Sequence, residues 1–244
     1  MLLLKKIKFF ILRQIDKAEI KLRKIFFSKE QKVFDKIYNK CKKKYNLKDD
    51  DGRNYSVFNL TSKIIKNNVP GSFVEAGVWK GAKIEVMIET LKSYKVLDRD
   101  IYLIDTFEGM TDPSDKDFHS ITQRPTIKNK LKYTLDDVKK NILQLGYPEE
   151  KIHFIKIDVR DTELLKSKIK SEIALLRIDT NTYDTVLSCL NAFYFKVVKN
   201  GYVIHDDFNS WNGHKEAVLN FAKANNISLK FIHSSIWEEI QKIK

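Results

Sequence analysis

The chain has 244 residues, with 45 Lys/Arg against 32 Asp/Glu, 8 glycines, 4 prolines and 2 cysteines, enough for one well-buried α/β domain with an appendage and too few breakers for a long linker or low-complexity tract. Cys41 and Cys189 lie far apart and support neither a disulfide framework nor a zinc site, and no apolar run approaches the roughly 20 residues of a bilayer span or the core of a signal peptide, so a cytoplasmic protein is expected. The formal charge of +13 is uneven: residues 1–45 hold 15 basic and 4 acidic side chains and the remainder 30 and 28, so the body is nearly neutral and its substrate need not be a polyanion.

In chain order, Leu4, Ile7, Ile11, Ile15, Ala18, Leu22 and Ile25 recur at helical steps, with Lys5, Lys6, Lys8, Arg13, Lys17, Lys21, Arg23 and Lys24 largely off that stripe. A basic amphipathic helix over residues 1–27 suits the inner face of an anionic membrane, a partner subunit in a homo-oligomer, or plain docking with solvated lysines. Nucleic acid is disfavoured, because aromatic residues are not regularly interleaved with the charges. The turn-rich Asp49-Asp50-Asp51-Gly52 marks the boundary between a basic helical extension (1–50) and the body (51–244).

The body alternates strand and helix. Ser56–Asn67 reads as a helix stopped by Val69-Pro70-Gly71, and Ser72–Gly77 as a strand leading through Val78-Trp79-Lys80-Gly81 into a helix over Ala82–Tyr94. A glycine-containing strand-to-helix turn lets a cofactor approach the backbone, although this is neither a full G-x-G-x-x-G nor a phosphate loop. The strand Ile101–Asp105 ends in an acid about 24 to 30 residues past that turn, placed to accept from ribose hydroxyls. Residues 110–131, with His119 among them, form a long loop of the kind that serves as a lid. Leu135–Leu145 and Leu164–Ile169 read as helices on either side of a strand, Ile152–Ile157, that runs into Asp158.

Two short apolar runs follow, Ala174–Ile178 and Tyr202–Ile204, joined by an amphipathic crossover over 182–198. They end on Asp179 and on Asp206-Asp207, which brings three carboxylates to the sheet edge where ligands bind. Such a group suits a hard divalent cation such as magnesium; alternatively, Asp179 caps the next helix and the acid pair merely ends a strand. A helix over Gly213–Ala224 and a strand over Ser228–Ile232 complete the pattern, which predicts a doubly wound, mostly parallel sheet.

Four blocks in this order and spacing, Val69–Gly81 (VPGSFVEAGVWKG), Ile104–Gly109 (IDTFEG), Leu175–Asp184 (LLRIDTNTYD) and Gly201–Asp207 (GYVIHDD), resemble the TylF/MycF (macrocin) family of S-adenosylmethionine-dependent O-methyltransferases, as does Gly146–Phe154. The resemblance covers about residues 56 to 225. It implies a class I methyltransferase, Rossmann-like fold, S-adenosyl-L-methionine and Mg2+ as cofactors, and a sugar or glycosylated small molecule as acceptor. It implies that Glu75, Ala76 and Gly77 line the methionine side of the cofactor, that Asp105 with Thr106 meets the ribose, that Asp158 lies near adenine, and that Asp179, Asp206 and Asp207 hold the metal. Asp179, or His119 from the lid, would then be the catalytic base. Asn181 stands where relatives commonly carry a second acid, which lowers the charge of the metal site. His205, on a buried strand, is expected to be a core residue, and Tyr183 and Asp184 match family positions that a helix start also explains. A non-catalytic methyltransferase-like module acting through the basic helix is the alternative function.

Overall fold

The computed structural model describes residues 28–47, 51–127, 131–234 and 238–243, together with positions 7, 10, 11, 14, 15, 18, 21 and 22. Helices α1 (Ser28–Tyr45) and α2 (Asp51–Lys66) precede the first strand. There follow β1 (Ser72–Ala76), α3 (Ala82–Ser93), β2 (Ile101–Asp105), α4 (Leu135–Leu143), β3 (Ile152–Lys156), α5 (Thr162–Lys168) and β4 (Ile173–Ile178). After them come α6 (Tyr183–Phe193), β5 (Val197–His205), α7 (Asn212–Ala224), β6 (Phe231–Ser234) and β7 (Glu239–Lys242).

The strands form one seven-stranded sheet in the order β3-β2-β1-β4-β5-β7-β6. All neighbours pair in parallel except β7, which runs antiparallel to β5 and β6. This is the doubly wound, mostly parallel sheet expected from the alternation. Its central strands are buried on both faces, which is why they read as unbroken apolar runs. Phe73, Leu175, Tyr202 and Ile204 pack on one face with Phe58 of α2, Met87 and Leu91 of α3 and Ile142 of α4. Val74, Leu176 and Val203 pack on the other with Leu165 of α5, Val186 and Leu190 of α6 and Val218 and Phe221 of α7. Chain order reverses direction between β1 and β4, and that switch point opens a crevice beyond the carboxyl ends of the strands.

The last third departs from the expected boundaries. Asn200 and Gly201, which precede the apolar run Tyr202–Ile204, lie inside the nine-residue β5. Asn200 has φ 67°, and the β4–β5 register slips between Ile173 and Leu175, so this part of β5 forms a bulge. The strand expected over Ser228–Ile232 lies at Phe231–Ser234, as β6. Strand β7, absent from the sequence expectation, inserts between it and β5.

Much of the basic stripe expected over 1–27 lies outside the described residues, including Leu4, Ile25 and most of the lysines. The described positions Ile7, Phe10, Ile11, Ile15 and Leu22 are helical and exposed. Among the described residues no helix is long and apolar enough to cross a membrane. Helix α1 packs into the body, with Phe34, Cys41 and Tyr45 in the same core as α2 and α3. It is fastened by Glu85 of α3, a fully buried carboxylate that accepts from Tyr45 Oη at 2.8 Å and Lys44 Nζ at 2.5 Å. Glu85→Ala should leave both donors without that partner and destabilise the fold by about 2 kcal/mol, because a charge-assisted bond and a buried hydroxyl lose their acceptor together. Hydrogen exchange should locate the loss in residues 28–45; protection there equal to wild type would rule this fastening out.

Candidate active site

The carboxyl ends of the strands are stapled to one another one residue past the sheet. Gly77 N donates to Ile104 O at 2.9 Å, Asp179 N to Ala76 O at 2.8 Å, Asp206 N to Ile178 O at 3.1 Å and Ile157 N to Asp105 O at 3.0 Å. This continuation of the ladder fixes the backbone from which the acids project. An open cavity lies over these ends, with Gly77, Trp79, Asp105, Thr106, Asp179 and Asn181 in its wall.

Gly77 is required by the geometry of that wall. It has φ 86°, and a Cβ there would stand 2.2 Å from the backbone oxygen of Asp179. Trp79, also left-handed at φ 48°, lines the same wall and is partly exposed. Asp105 anchors the turn as well as facing the cavity: Oδ2 accepts from Val78 N at 2.7 Å and Trp79 N at 3.1 Å, and Oδ1 from Phe107 N at 2.9 Å. Thr106 Oγ1 makes a longer contact with Oδ1, at 3.4 Å, so of the about four acceptor sites of a carboxylate this is the one a ligand hydroxyl would take over.

Of the residues expected from sequence to meet a cofactor, Gly77, Asp105 and Thr106 line this cavity. Ala76 is fully buried in β1. Asp158 lies in an adjoining groove, where Arg160 holds its carboxylate through Nε at 3.0 Å and keeps it below the usual carboxylate range. Glu75 is buried behind the wall, paired through Oε1 with Arg177, while Oε2 has no hydrogen-bond partner.

Asp179, Asp206 and Asp207 each offer an oxygen within 4.8 Å of the others. Helix capping does not account for Asp179: the N-cap position of α6 is Thr182, and the amide of Tyr183 donates to Asp117 Oδ1 at 2.7 Å. Arg177, 1 % exposed on β4, is the hub of the acid group. Its guanidinium meets Glu75, which lies beside it in the β1–β4 register, together with Asp206 and Asp179 Oδ2, the last at 2.9 Å. Arg53 of α2 adds a second cation, 2.6 Å from Asp206 Oδ2 and 3.8 Å from Asp207 Oδ1.

These placements set the charges. Burial alone would raise Asp206, but Arg177 and then Arg53 hold it well below the usual carboxylate range. Burial pushes Glu75 up to about 7, with Arg177 opposing. Burial and the neighbouring Asp206 raise Asp179, although its side chain keeps 28 % exposure at the cavity edge. Burial and both other aspartates raise Asp207. Glu238, buried ahead of β7, joins the group and is pushed up to about 8 by burial and Asp206. Three carboxylate donors converging in a partly uncompensated acidic field fit a hard divalent cation.

The histidines take other parts. His119 is not in the cavity wall; its Nδ1 accepts from the amides of Ile121 and Thr122, each at 3.2 Å, and its ring stands edge-on to Trp211 at 5.5 Å. It orders the expected lid, which is also tied to the start of α7 by Ser120 N donating to Ser210 O at 2.8 Å. His205 is fully buried beside Phe208 and Phe231, as expected for a core residue, and burial pushes it down to about 4. Asn181 adopts φ 66°, a conformation that asparagine tolerates, and lines the cavity beside Asp179.

Sequence reading missed both arginines. Arg177 carried a usable signal, since a lone charge inside an apolar buried strand is almost always paired. Arg53 carried none, because only the seating of α2 on the sheet brings it to the acids.

Residues 51–237 match the family described as Macrocin-O-methyltransferase (TylF). The chain is 30% identical over 160 residues to a demethyldecarbamoylnovobiocin O-methyltransferase of Streptomyces niveus, covering 64% of this chain and 59% of that protein. It is 26% identical over 148 residues to an 8-demethyl-8-(2,3-dimethoxy-alpha-L-rhamnosyl)-tetracenomycin-C 4'-O-methyltransferase of Streptomyces olivaceus, covering 59% and 56% of the two chains. The chain thus spans less than three fifths of the length of these curated relatives. Among solved structures, the O-methyltransferase NovP superposes with a TM-score of 0.69 at 25% identity, over 79% of each chain.

Proposed function

The chain belongs to the macrocin O-methyltransferase (TylF) family, and from that premise we propose that it transfers a methyl group from S-adenosyl-L-methionine to a hydroxyl of a sugar or glycosylated small molecule, assisted by Mg2+. The observation that carries this reading is the position of Asp179. Its carboxylate stands in the wall of the cavity that Gly77 and Asp105 build and also within the oxygen group of Asp206 and Asp207. One residue therefore joins a space for the methyl donor to a cluster fit for a cation.

When bound, the sulfonium donor would supply an electrophilic methyl carbon, and a cation held by Asp179, Asp206 and Asp207 would lower the pKa of the acceptor hydroxyl. The donor would give up its methyl group to the acceptor oxygen and keep the electron pair of the broken carbon–sulfur bond on sulfur, so the chain's own residues need only orient the hydroxyl and take its proton. Asp179, whose side chain keeps 28 % exposure at the cavity edge, would receive the hydroxyl proton. Gly77 lets a ligand approach the backbone, Asp105 offers an acceptor to ribose hydroxyls, and Arg177 holds Asp179 and Asp206 in position. A sugar acceptor draws support from the rhamnosyl substrate named for one relative and from the nearly neutral body, which does not call for a polyanion.

Calorimetry on the wild type and Asp179→Ala tests this reading. The wild type should bind S-adenosyl-L-methionine and respond to magnesium, and the substitution should abolish the magnesium response while cofactor binding persists. Absence of both in the wild type would sink the enzyme reading and leave a non-catalytic module.

A further inference from the structure

The acid group already holds a positive charge brought to it from outside the sheet. Both oxygens of Asp206 are engaged, Oδ1 by Arg177 and Oδ2 by Arg53 at 2.6 Å. The same Nη1 of Arg53 stands 3.8 Å from Asp207 Oδ1, so this one guanidinium lies against two of the three aspartates.

The two arginines are not equivalent. Arg177 is enclosed in the middle of the sheet and shared among Glu75, Asp179 and Asp206. Swinging it away would strand Glu75 and Asp179 and leave Asp206 with Arg53 alone. Arg53 reaches in from α2, outside the sheet, and 25 % of its side chain is exposed. It can leave toward solvent, where a guanidinium is readily hydrated, and its departure frees Asp206 and Asp207 while Arg177 continues to hold Asp206. A divalent cation seated among the three aspartates competes with Arg53 for these acids. It would also repel the guanidinium at this range, because like charges a few ångströms apart inside protein are poorly screened.

We propose that Arg53 is the resident counter-cation of the acid group, and that a divalent cation loads by displacing its guanidinium from Asp206 and Asp207. Loading is thereby coupled to the seating of α2. This rests on the divalent-cation reading given above, and deepens it by naming the group that the cation must move.

The test is magnesium calorimetry on the full chain, comparing wild type, Arg53→Gln and Arg53→Lys, with thermal melting of each in EDTA and in saturating magnesium. A charge-assisted hydrogen bond is worth on the order of a factor of ten in an equilibrium. Arg53→Gln should therefore bind magnesium roughly tenfold tighter than wild type, with Arg53→Lys between them. In EDTA the glutamine variant should melt below wild type, since its acids lack their counter-charge, and magnesium should close that gap. If Arg53→Gln proves unstable, Arg53→Lys carries the comparison, because it retains a cation but a weaker hold. Wild-type binding with equal or weaker affinity in the variants would overturn the proposal and leave the metal reading intact. Magnesium binding to none of the three proteins would overturn both.

Discussion

Arg177→Met should destabilise the protein by about 3–5 kcal/mol, the usual cost of removing one partner from a buried ion pair, which for a chain of this size corresponds to a fall in Tm on the order of 10 °C. Methionine fills most of the volume, so the loss is electrostatic. Glu75 and Asp206 are buried, and Glu75 Oε2 lacks a partner even with Arg177 present. Without Arg177, these carboxylates either remain charged in a medium that solvates them poorly or take up protons at neutral pH, which costs about 1.4 kcal/mol for each unit between the pH and the ordinary pKa. The second route makes the deficit depend on pH. In the wild type, Asp206 lies below its unfolded value, so its contribution is present above that value and is lost only in strong acid. In the variant Asp206 keeps Arg53 and loses only part of that depression, whereas Glu75, already raised by burial, loses the arginine that opposed the rise, so its cost grows with pH and is relieved on acidification. Urea denaturation should therefore show the gap between variant and wild type narrowing from pH 7 to pH 5. A constant gap would point to lost packing and away from unpaired charge.

Gly77→Ala should abolish measurable binding of S-adenosyl-L-methionine while costing stability on the order of 2–4 kcal/mol. Two effects act at one atom. A left-handed backbone costs a residue with a Cβ roughly 1–2 kcal/mol, and at φ 86° this Cβ would also stand 2.2 Å from the carbonyl oxygen of Asp179. Neither neighbour can give easily. Asp179 N is bonded to Ala76 O and Gly77 N to Ile104 O, so relieving the contact means pulling apart the ends of β1 and β4. That separation displaces Asp179 relative to Asp206 and Asp207 and opens the wall where the cofactor is proposed to lie. The contrast is Gly146→Ala, where the backbone is also left-handed at φ 68° but nothing lies within 4 Å of the added carbon. It should cost only the conformational penalty and leave cofactor binding unchanged. Calorimetry on the two variants separates close approach from backbone strain; equal binding by both would show that the strand ends can part without harm to the site.

Glu75 shows why part of the site could be read in sequence only as an address. The acid–Ala–Gly ending of the first strand marks the edge of the sheet, and Gly77 and Asp105 do meet at the cavity there. Yet Glu75 faces Arg177 across the register and is buried behind the wall. The two-residue period of a strand fixes which face a side chain takes, but not which residue the neighbouring strand sets beside it. His119 is the converse case: its place in a long loop suggested a base, but the loop's own turn uses Nδ1 to accept two amides.

What the sequence determined by itself is what depends on local pattern: the alternation of strands and helices, the glycine turn, the acids closing β1, β2, β4 and β5, and through them the doubly wound sheet. The seating of β7 between β5 and β6, the bulge at Asn200 and the packing of α1 against Glu85 were decided by tertiary structure, because each pairs residues tens of positions apart with no periodic signal. The same holds for the charge balance of the site. Arg53 and Asp206 are 153 residues apart in the chain, and only the folding of α2 over the sheet brings that guanidinium against Asp206 and Asp207, where burial makes its charge count.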